Sequence, residues 1–216
     1  KIIYETSKKI KPHSVTEICN CGVPQDFYQS IHTDQPVVSD PTSYEQVRKR
    51  VKLNKALWGA NCPIYGDHVE HIKVNNDELG MDFASSVGTG AVIGTKFTWP
   101  AGPEKVRLTP EKEPHYKKWI SLYNEKMLSK GEYLNLYDIA YDKPETHVIR
   151  KDGKIYYSFY ADEWNGNIEL RGLGDKEYIA RDYVNEIDID ILRNGKHVID
   201  VAFSDHLLIE CSPVDN

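Results

Sequence analysis

Residues 36–68, PVVSDPTSYEQVRKRVKLNKALWGANCPIYGDH, contain the pattern that decides the fold of the first half of the chain. A short apolar run, Pro36-Val37-Val38-Ser39, precedes a segment from Ser43 to Leu57 in which apolar side chains recur at helical spacing. A second short apolar run, Cys62-Pro63-Ile64-Tyr65, follows the helix. Strand, helix and strand in this order are typical of βα units that build a parallel sheet.

Predicted strands and helices also lie on both sides of this stretch. Val15–Cys19 predicts another short strand, and Pro114–Leu128 predicts an amphipathic helix with Trp119 and Leu122 on one face. Residues 81–98 are rich in Gly and Ser and predict a closely packed segment or a short helix, followed by a turn at Thr98–Pro103. The first half of the chain is therefore predicted to be an α/β structure.

The pattern changes after Gly131, where short strand-like runs alternate with turn signals. We place a domain boundary there and predict two domains, residues 1–131 and 132–216. Hairpins joined by Gly- and Asp-containing turns predict an antiparallel β-sandwich for the second domain. The predicted strands are Thr146–Arg150, Lys154–Tyr160, Asn167–Arg171, Tyr178–Asn185, His197–Phe203 and His206–Cys211, with turns at Lys151–Gly153, Trp164–Gly166, Arg193–Gly195 and Ser204-Asp205.

Composition excludes several classes of partner. The formal net charge is −6, and no basic patch suggests binding to nucleic acid. No apolar run approaches the ~20 residues that a membrane span needs, so no membrane partner is expected. The chain begins Lys1-Ile2-Ile3-Tyr4 without Met, and we expect it to be a segment of a longer protein whose compartment the sequence does not indicate.

Polar and reactive side chains stand at the ends of the three predicted strands of the first half. They are Glu17–Gly22 (EICNCG), Ser39-Asp40 and Gly66-Asp67-His68. The carboxyl ends of parallel strands meet at one edge of a sheet, so these clusters are predicted to converge on one site. For Asp40 an alternative is a capping role at the start of the helix after Pro41.

The order of these motifs resembles the family 36 glycoside hydrolases and their α-galactosidase clan. In that family one strand end carries Glu-x-Cys, matched here by Glu17-Ile18-Cys19. The next carries Ser-Asp before a helix with Arg, matched by Ser39-Asp40 with Arg48 and Arg50, and a later one carries Gly-x-His-Val, matched by Gly66–Val69. The resemblance implies that residues 1–131 are the C-terminal part of a (β/α)₈ barrel and that an antiparallel domain follows.

The resemblance also implies a retaining hydrolase that cleaves terminal α-linked galactose from oligosaccharides, with no cofactor and no metal. Asp40 matches the general acid/base, and the family's nucleophile would lie upstream of this chain, which by itself should be inactive. Substrate-binding residues are expected to be Cys19, Cys21, Gly22, Ser39, Asp67 and His68. The residues from Cys19 to Pro24 depart from the family pattern around the sugar, which leaves an α-N-acetylgalactosaminidase as an alternative.

Two alternatives lie outside the enzyme class. His13, Cys19, Cys21, Cys62 and His68 could supply zinc ligands, although their spacing is irregular. The second domain could be a non-catalytic carbohydrate-binding module in which Trp164, Tyr156, Tyr157 and Tyr160 stack on sugars, although the tyrosines also fit a sandwich core. Open edges of a partial barrel would invite self-pairing, so a homo-oligomer is a further expectation.

Overall fold

The computed structural model describes residues 1–20, 26–69, 73–74, 78–79, 82–95, 107–193, 195 and 197–214. The chain divides into two compact units, Lys1–Lys130 and Gly131–Asn216. In the part of the chain so described, none of the helices combines the length and the hydropathy needed to cross a bilayer.

The first unit contains four α-helices and six short strands among the described residues. The helices are α1 (Ile2–Ile10), α2 (Tyr44–Trp58), α3 (Phe83–Gly88) and α4 (Glu113–Lys126), with 3₁₀ turns at Phe27–His32 and Leu128–Lys130. The strands are β1 (Glu17–Ile18), β2 (Gln35–Pro36), β3 (Ile64–His68), β4 (Lys73–Val74), β5 (Glu78–Leu79) and β6 (Ala91–Gly94).

Four of these strands are parallel and follow chain order. Glu17 of β1 pairs with Gln35 of β2, and Ile64 of β3 pairs with Ala91 of β6. A parallel bridge from Val37 to Tyr65 links the two pairs. The strand β6 was missed, because the sequence of residues 81–98 predicted only packed chain or helix; α3 accounts for its first part. The turn predicted at Thr98–Pro103 lies outside the described residues.

Helix α2 shows why the central stretch folds as it does. Ser43 is the N-cap, and its hydroxyl accepts a hydrogen bond from the backbone N–H of Gln46. The capping role considered for Asp40 is therefore wrong. Val47 and Val51 are buried against Val38, Ile64 and Ala91 of the strands, and the helix ends at Gly59. Leu53, an apolar residue of the same helix, lies away from this buried face, since 45% of it is exposed.

The second unit is built on one antiparallel sheet of six strands in the order β11-β10-β12-β9-β8-β7. The predicted antiparallel β-structure of this unit is confirmed, whereas its sandwich form stays a prediction. The strands are β7 (Glu132–Leu134), β8 (Glu145–Lys151), β9 (Lys154–Glu169), β10 (Tyr178–Asp182), β11 (Ile187–Leu192) and β12 (Val198–Pro213). At the β8–β9 hairpin, Asp152 and Gly153 both have positive φ, 50° and 76°, as a tight turn between twisted strands requires.

Two predicted turns are wrong, because each lies inside a strand of 16 residues. Trp164-Asn165-Gly166 lies within β9 and Ser204-Asp205 within β12, and these two strands pair along their length. Ser204 pairs with Glu163 and Asp205 pairs with Ala161, so that Asp162 is an extra residue on β9. The turn-like residues thus mark a β-bulge.

The bulge changes which residues of β9 face the core. Before Asp162 the core residues are odd-numbered, Tyr157 and Phe159, and after it they are even-numbered, Trp164 and Ile168. In β12 the core positions stay odd throughout. They are Ile199, Val201, Phe203, Leu207, Ile209 and Cys211. A single inserted residue therefore keeps these four side chains of β9 on the same side of the sheet.

Candidate active site

Three strand ends of the first unit meet at one place. Cys19 follows β1, Ser39 and Asp40 follow β2, and Asp67 and His68 form the end of β3. Parallel pairing puts these ends at the same edge, and hydrogen bonds between them show that the side chains meet. The convergence expected from the strand-end residues is thus present in the structure for these five residues.

A chain of contacts joins the thiol of Cys19 to the carboxylate of Asp40. Cys19 Sγ lies 3.2 Å from Ser39 Oγ, and the Ser39 hydroxyl donates to Asp40 Oδ2 at 3.3 Å. A hydroxyl has one hydrogen to give, so the Ser39 oxygen accepts from the Cys19 thiol when it donates to Asp40. Ser39 is buried, whereas Asp40 and Cys19 are exposed. Asp40 and Cys19 are therefore the members of this chain that a ligand can reach.

Asp67 holds the backbone at the ends of two strands. Its Oδ2 accepts from the backbone N–H of Asp40 at 2.6 Å. Its Oδ1 accepts from the backbone N–H of His68 at 2.7 Å and lies 2.8 Å from His68 Nδ1. The other ring nitrogen of His68, Nε2, lies 3.5 Å from the Tyr65 hydroxyl. Asp67 is buried and His68 is partly exposed, so His68 offers a ring edge to the site while Asp67 supports it.

Two charged residues near this site were not among the expected catalytic and substrate-binding residues, although Glu17 belongs to the strand-end cluster and Arg50 to the matched Ser-Asp motif. Arg50 Nη1 donates to the backbone carbonyls of Val38 at 3.0 Å and Ser39 at 2.5 Å, which fixes the end of β2. Burial of the Glu17 carboxyl, followed by the negative charge of Asp67, raises the pKa of Glu17, while His68 acts in the opposite direction. Glu17 lies in β1, two residues before Cys19, and the Glu-x-Cys motif is the sequence signal that marks it.

The remaining residues predicted to bind substrate or zinc are not found in a site among the described residues. Cys21 and Gly22 lie outside the described residues. Within the described ranges no group of three or more His, Cys, Asp and Glu side chains is placed to hold a metal ion. The Cys62 thiol lies instead 3.7 Å from each of the backbone carbonyl oxygens of Asp34 and Pro63.

The tyrosines proposed to stack on sugars in the second unit are not available. Tyr156, Tyr157 and Tyr160 are buried. Tyr156 packs edge-on against Tyr183 with ring centroids 5.8 Å apart, and Tyr160 packs edge-on against His147 at 5.9 Å. The sequence left two possibilities for these tyrosines, sugar binding and packing in the domain core. The structure shows the second.

Chemically, the site presents the exposed carboxylate of Asp40 on a fixed backbone beside a thiol and an imidazole. A carboxyl group of this kind can donate a proton to a leaving oxygen and later accept one from water. A retaining glycosidase needs a second carboxylate as nucleophile on the other side of the scissile bond. The described residues of the site fit the first of these two roles.

Comparisons with known proteins find similarity to enzymes that hydrolyse glycosidic bonds. No family model matches the chain. The chain is 35% identical over 219 residues to an A type blood alpha-D-galactosamine galactosaminidase of Flavonifractor plautii, an alignment that covers 97% of this chain and 19% of that protein. The chain thus spans 19% of the length of the curated relative that it matches.

Two solved structures share the fold at low sequence identity. A family 27 β-L-arabinopyranosidase of Geobacillus stearothermophilus aligns with a TM-score of 0.69 and 10% identity, over 99% of this chain and 54% of that chain. An α-galactosidase of Mortierella vinacea aligns with a TM-score of 0.56 and 12% identity, over 92% of this chain and 58% of that chain. These two likenesses show the fold alone.

The relative in sequence and the two solved structures are thus all glycoside hydrolases by name. These names agree with the predicted resemblance to the α-galactosidase clan. Its narrower assignment to family 36 is not decided by these similarities.

Proposed function

We propose that this chain is part of a longer retaining glycoside hydrolase of family 36 that removes terminal α-linked galactose from oligosaccharides. In this proposal the first unit is the C-terminal part of a (β/α)₈ barrel, Asp40 is the general acid/base, and the nucleophile lies outside these 216 residues. The observation that carries the proposal is the exposed carboxylate of Asp40 at the strand ends where Cys19 and Asp67 also meet.

The proposed reaction has two steps at one carbon. In the first step Asp40 donates a proton to the glycosidic oxygen while the nucleophile attacks the sugar, and the aglycone leaves. In the second step Asp40 accepts a proton from water, which replaces the nucleophile at the sugar carbon. Cys19 and His68 would contact the sugar, since both are accessible beside Asp40. No step requires a metal or an organic cofactor.

A second candidate differs only in the sugar. The relative from Flavonifractor plautii is named for α-D-galactosamine, a sugar with nitrogen at the 2-position. The residues from Cys19 to Pro24, which follow β1, would shape the pocket at this position. A galactosaminidase or N-acetylgalactosaminidase therefore remains the alternative to a galactosidase.

The test is hydrolysis of three p-nitrophenyl α-glycosides by the full-length protein and, separately, by the 216-residue chain. The three sugars are galactose, galactosamine and N-acetylgalactosamine. We expect the full-length protein to cleave the galactoside and the chain to cleave none. Cleavage of an amino sugar in preference to galactose would select the second candidate.

Two outcomes would overturn the proposal. Activity of the isolated chain would mean that a carboxylate among these residues is the nucleophile. No cleavage of any of the three by the full-length protein would reject this substrate class. Proton NMR of the first-formed product adds a check on mechanism, because a retaining enzyme releases the α-anomer before mutarotation.

A further inference from the structure

The backbone of Asp40 has a conformation that ordinary residues avoid. Its φ angle is 45°, in the left-handed region, which costs most residues other than glycine about 1–2 kcal/mol and which Asp and Asn tolerate better than the rest. Such a conformation persists only where surrounding groups hold it. The direction in which the Asp40 side chain leaves the backbone therefore depends on the contacts that fix its peptide groups.

Asp67 supplies the contact on the N–H side of Asp40. The 2.6 Å bond from the Asp40 N–H to Asp67 Oδ2 joins residues 27 positions apart. Only 5% of Asp67 is exposed, and its other oxygen is engaged by the backbone and ring of His68. A hydrogen bond from a backbone N–H to a buried carboxylate is among the stronger ones in proteins. Both oxygens of Asp67 are thus used in holding protein groups.

The preceding carbonyls are held independently. Arg50 binds the carbonyl oxygens of Val38 and Ser39, so the chain entering Asp40 is fixed from one side by α2 and from the other by β3. Asp67 itself has a φ of 65°, which turns its own backbone at the end of β3. Two left-handed aspartates joined by one hydrogen bond form a rigid pair across the strand ends.

We infer that Asp67 is a positioning residue, which aims the Asp40 carboxyl at the glycosidic oxygen, and that it does not bind the sugar. The inference rests on the proposed function of Asp40. If Asp67 is removed, the Asp40 N–H loses its acceptor and the left-handed backbone can relax. Asp40 would then remain present and ionisable but would point elsewhere.

The experiment compares leaving groups in the full-length protein. Kinetics of Asp67→Ala and Asp67→Asn are measured on an α-galactosyl disaccharide and on p-nitrophenyl α-galactoside. A sugar leaving group needs a proton, whereas p-nitrophenolate leaves with little help. Misplacement of an acid by about 1 Å can cost about 100-fold in rate. We expect a loss of about this size in kcat/KM on the disaccharide and a much smaller loss on the aryl glycoside, with KM little changed.

A matched control separates positioning from folding. Asp82 also uses its carboxylate to accept hydrogen bonds, from the backbone N–H and the hydroxyl of Ser85, at the start of α3. Asp82→Ala should weaken the fold without touching Asp40. If less of this variant is folded, its activities on the disaccharide and on the aryl glycoside fall by the same factor. The ratio of kcat/KM on the disaccharide to kcat/KM on the aryl glycoside should therefore stay at the wild-type value.

A double variant tests whether Asp67 acts through Asp40. In an Asp40→Asn background, Asp67→Ala should cause little further loss on the disaccharide, because the group that it positions is already gone. Additive losses would overturn the inference, as would equal losses on both substrates or a large rise in KM. Asp67→Asn provides the same readout if Asp67→Ala does not fold.

The inference and the proposed function fail in different ways. If Asp40→Asn shows the leaving-group effect and the Asp67 variants do not, Asp67 is not a positioning residue and Asp40 keeps its role. If Asp40→Asn itself shows no leaving-group effect, the acid/base assignment is wrong and the inference falls with it.

Discussion

At the scale of single residues, the site depends on two aspartates with different surroundings. Asp40 is exposed at a strand end, and Asp67 is buried beneath it with both oxygens engaged. In the proposed mechanism the same kind of side chain therefore donates a proton at position 40 and serves as a fixed hydrogen-bond acceptor at position 67. Burial and the hydrogen bonds already present decide which of the two can act on a substrate.

Asp40→Asn is expected to abolish most activity of the full-length protein on oligosaccharides, because an amide cannot donate the proton that the leaving oxygen needs. General acid catalysis contributes about 10²–10⁴-fold, and the loss should fall in this range. The glycosylation step with an aryl galactoside should be affected far less. The measurement is kcat/KM on both substrates, and unchanged kinetics on both would reject Asp40 as the acid/base.

Lys55 is a second residue whose environment predicts a measurable effect. It is 3% exposed on α2, and its Nζ donates to the carbonyl of Cys62 at 2.6 Å. Burial lowers the pKa of Lys55 from 10.5 to about 8. Between these two values the unfolded chain holds a proton that the folded chain has lost, so the contribution of Lys55 to the free energy of unfolding rises with pH.

Lys55→Met should therefore be more stable than the wild type at pH 7, and its advantage should shrink by about 2 kcal/mol between pH 7 and pH 10. Urea denaturation at several pH values measures this difference, and groups common to both proteins cancel. Lys49→Met on the exposed side of the same helix is the control and should show no such trend. A constant difference between the wild type and Lys55→Met would contradict the lowered pKa.

At the scale of elements, the bulge in β9 is the feature on which the second unit most depends. The extra residue Asp162 lets Tyr157 and Phe159 on one side of it, and Trp164 and Ile168 on the other, all contact the same core. Without the extra residue, the side chains of one of these pairs would point to the opposite face of the sheet, because successive side chains of a strand alternate between its two faces.

Deletion of Asp162 is expected to destabilise the second unit by more than ~3 kcal/mol, since two large apolar side chains would lose their burial. The substitution Asp162→Ala keeps the residue count and should change stability by less than ~0.5 kcal/mol, because the side chain is exposed. Urea unfolding followed by tryptophan fluorescence compares the two. Similar stability of both variants would show that register does not depend on this residue.

At the scale of the whole molecule, open sheet edges predict self-association. Strand β11 stands at one end of the six-stranded sheet, and Ile187 and Ile191 on it are 59% and 49% exposed. A partial barrel in the first unit would add further edges. We expect the 216-residue chain to form a dimer or a larger assembly.

Sedimentation velocity at several protein concentrations tests this expectation. Ile191→Lys should shift the distribution toward monomer if the β11 edge takes part. Ile179→Lys changes a partly exposed residue on β10, inside the sheet, and is the matched control. A chain that stays monomeric at every concentration would show the prediction of a homo-oligomer to be wrong.

The sequence by itself determined the features that depend on residues close together in the chain. Helix α2 followed from its apolar spacing, and the β8–β9 hairpin followed from Asp152-Gly153, since periodicity and turn chemistry are local properties. The reactive residues Cys19, Asp40 and His68 were recognisable because each stands where a short apolar run ends.

Only the tertiary structure decided the features that join distant residues. The turn signals at Trp164–Gly166 and Ser204-Asp205 became a bulge because β9 and β12 pair with each other there, which neither segment reveals alone. Likewise, the resemblance implied that Asp67 binds substrate, whereas its burial and its hydrogen bond to the Asp40 backbone 27 residues away became visible only in the fold. Burial and pairing partners arise from packing between elements, and a local pattern does not encode which elements will meet.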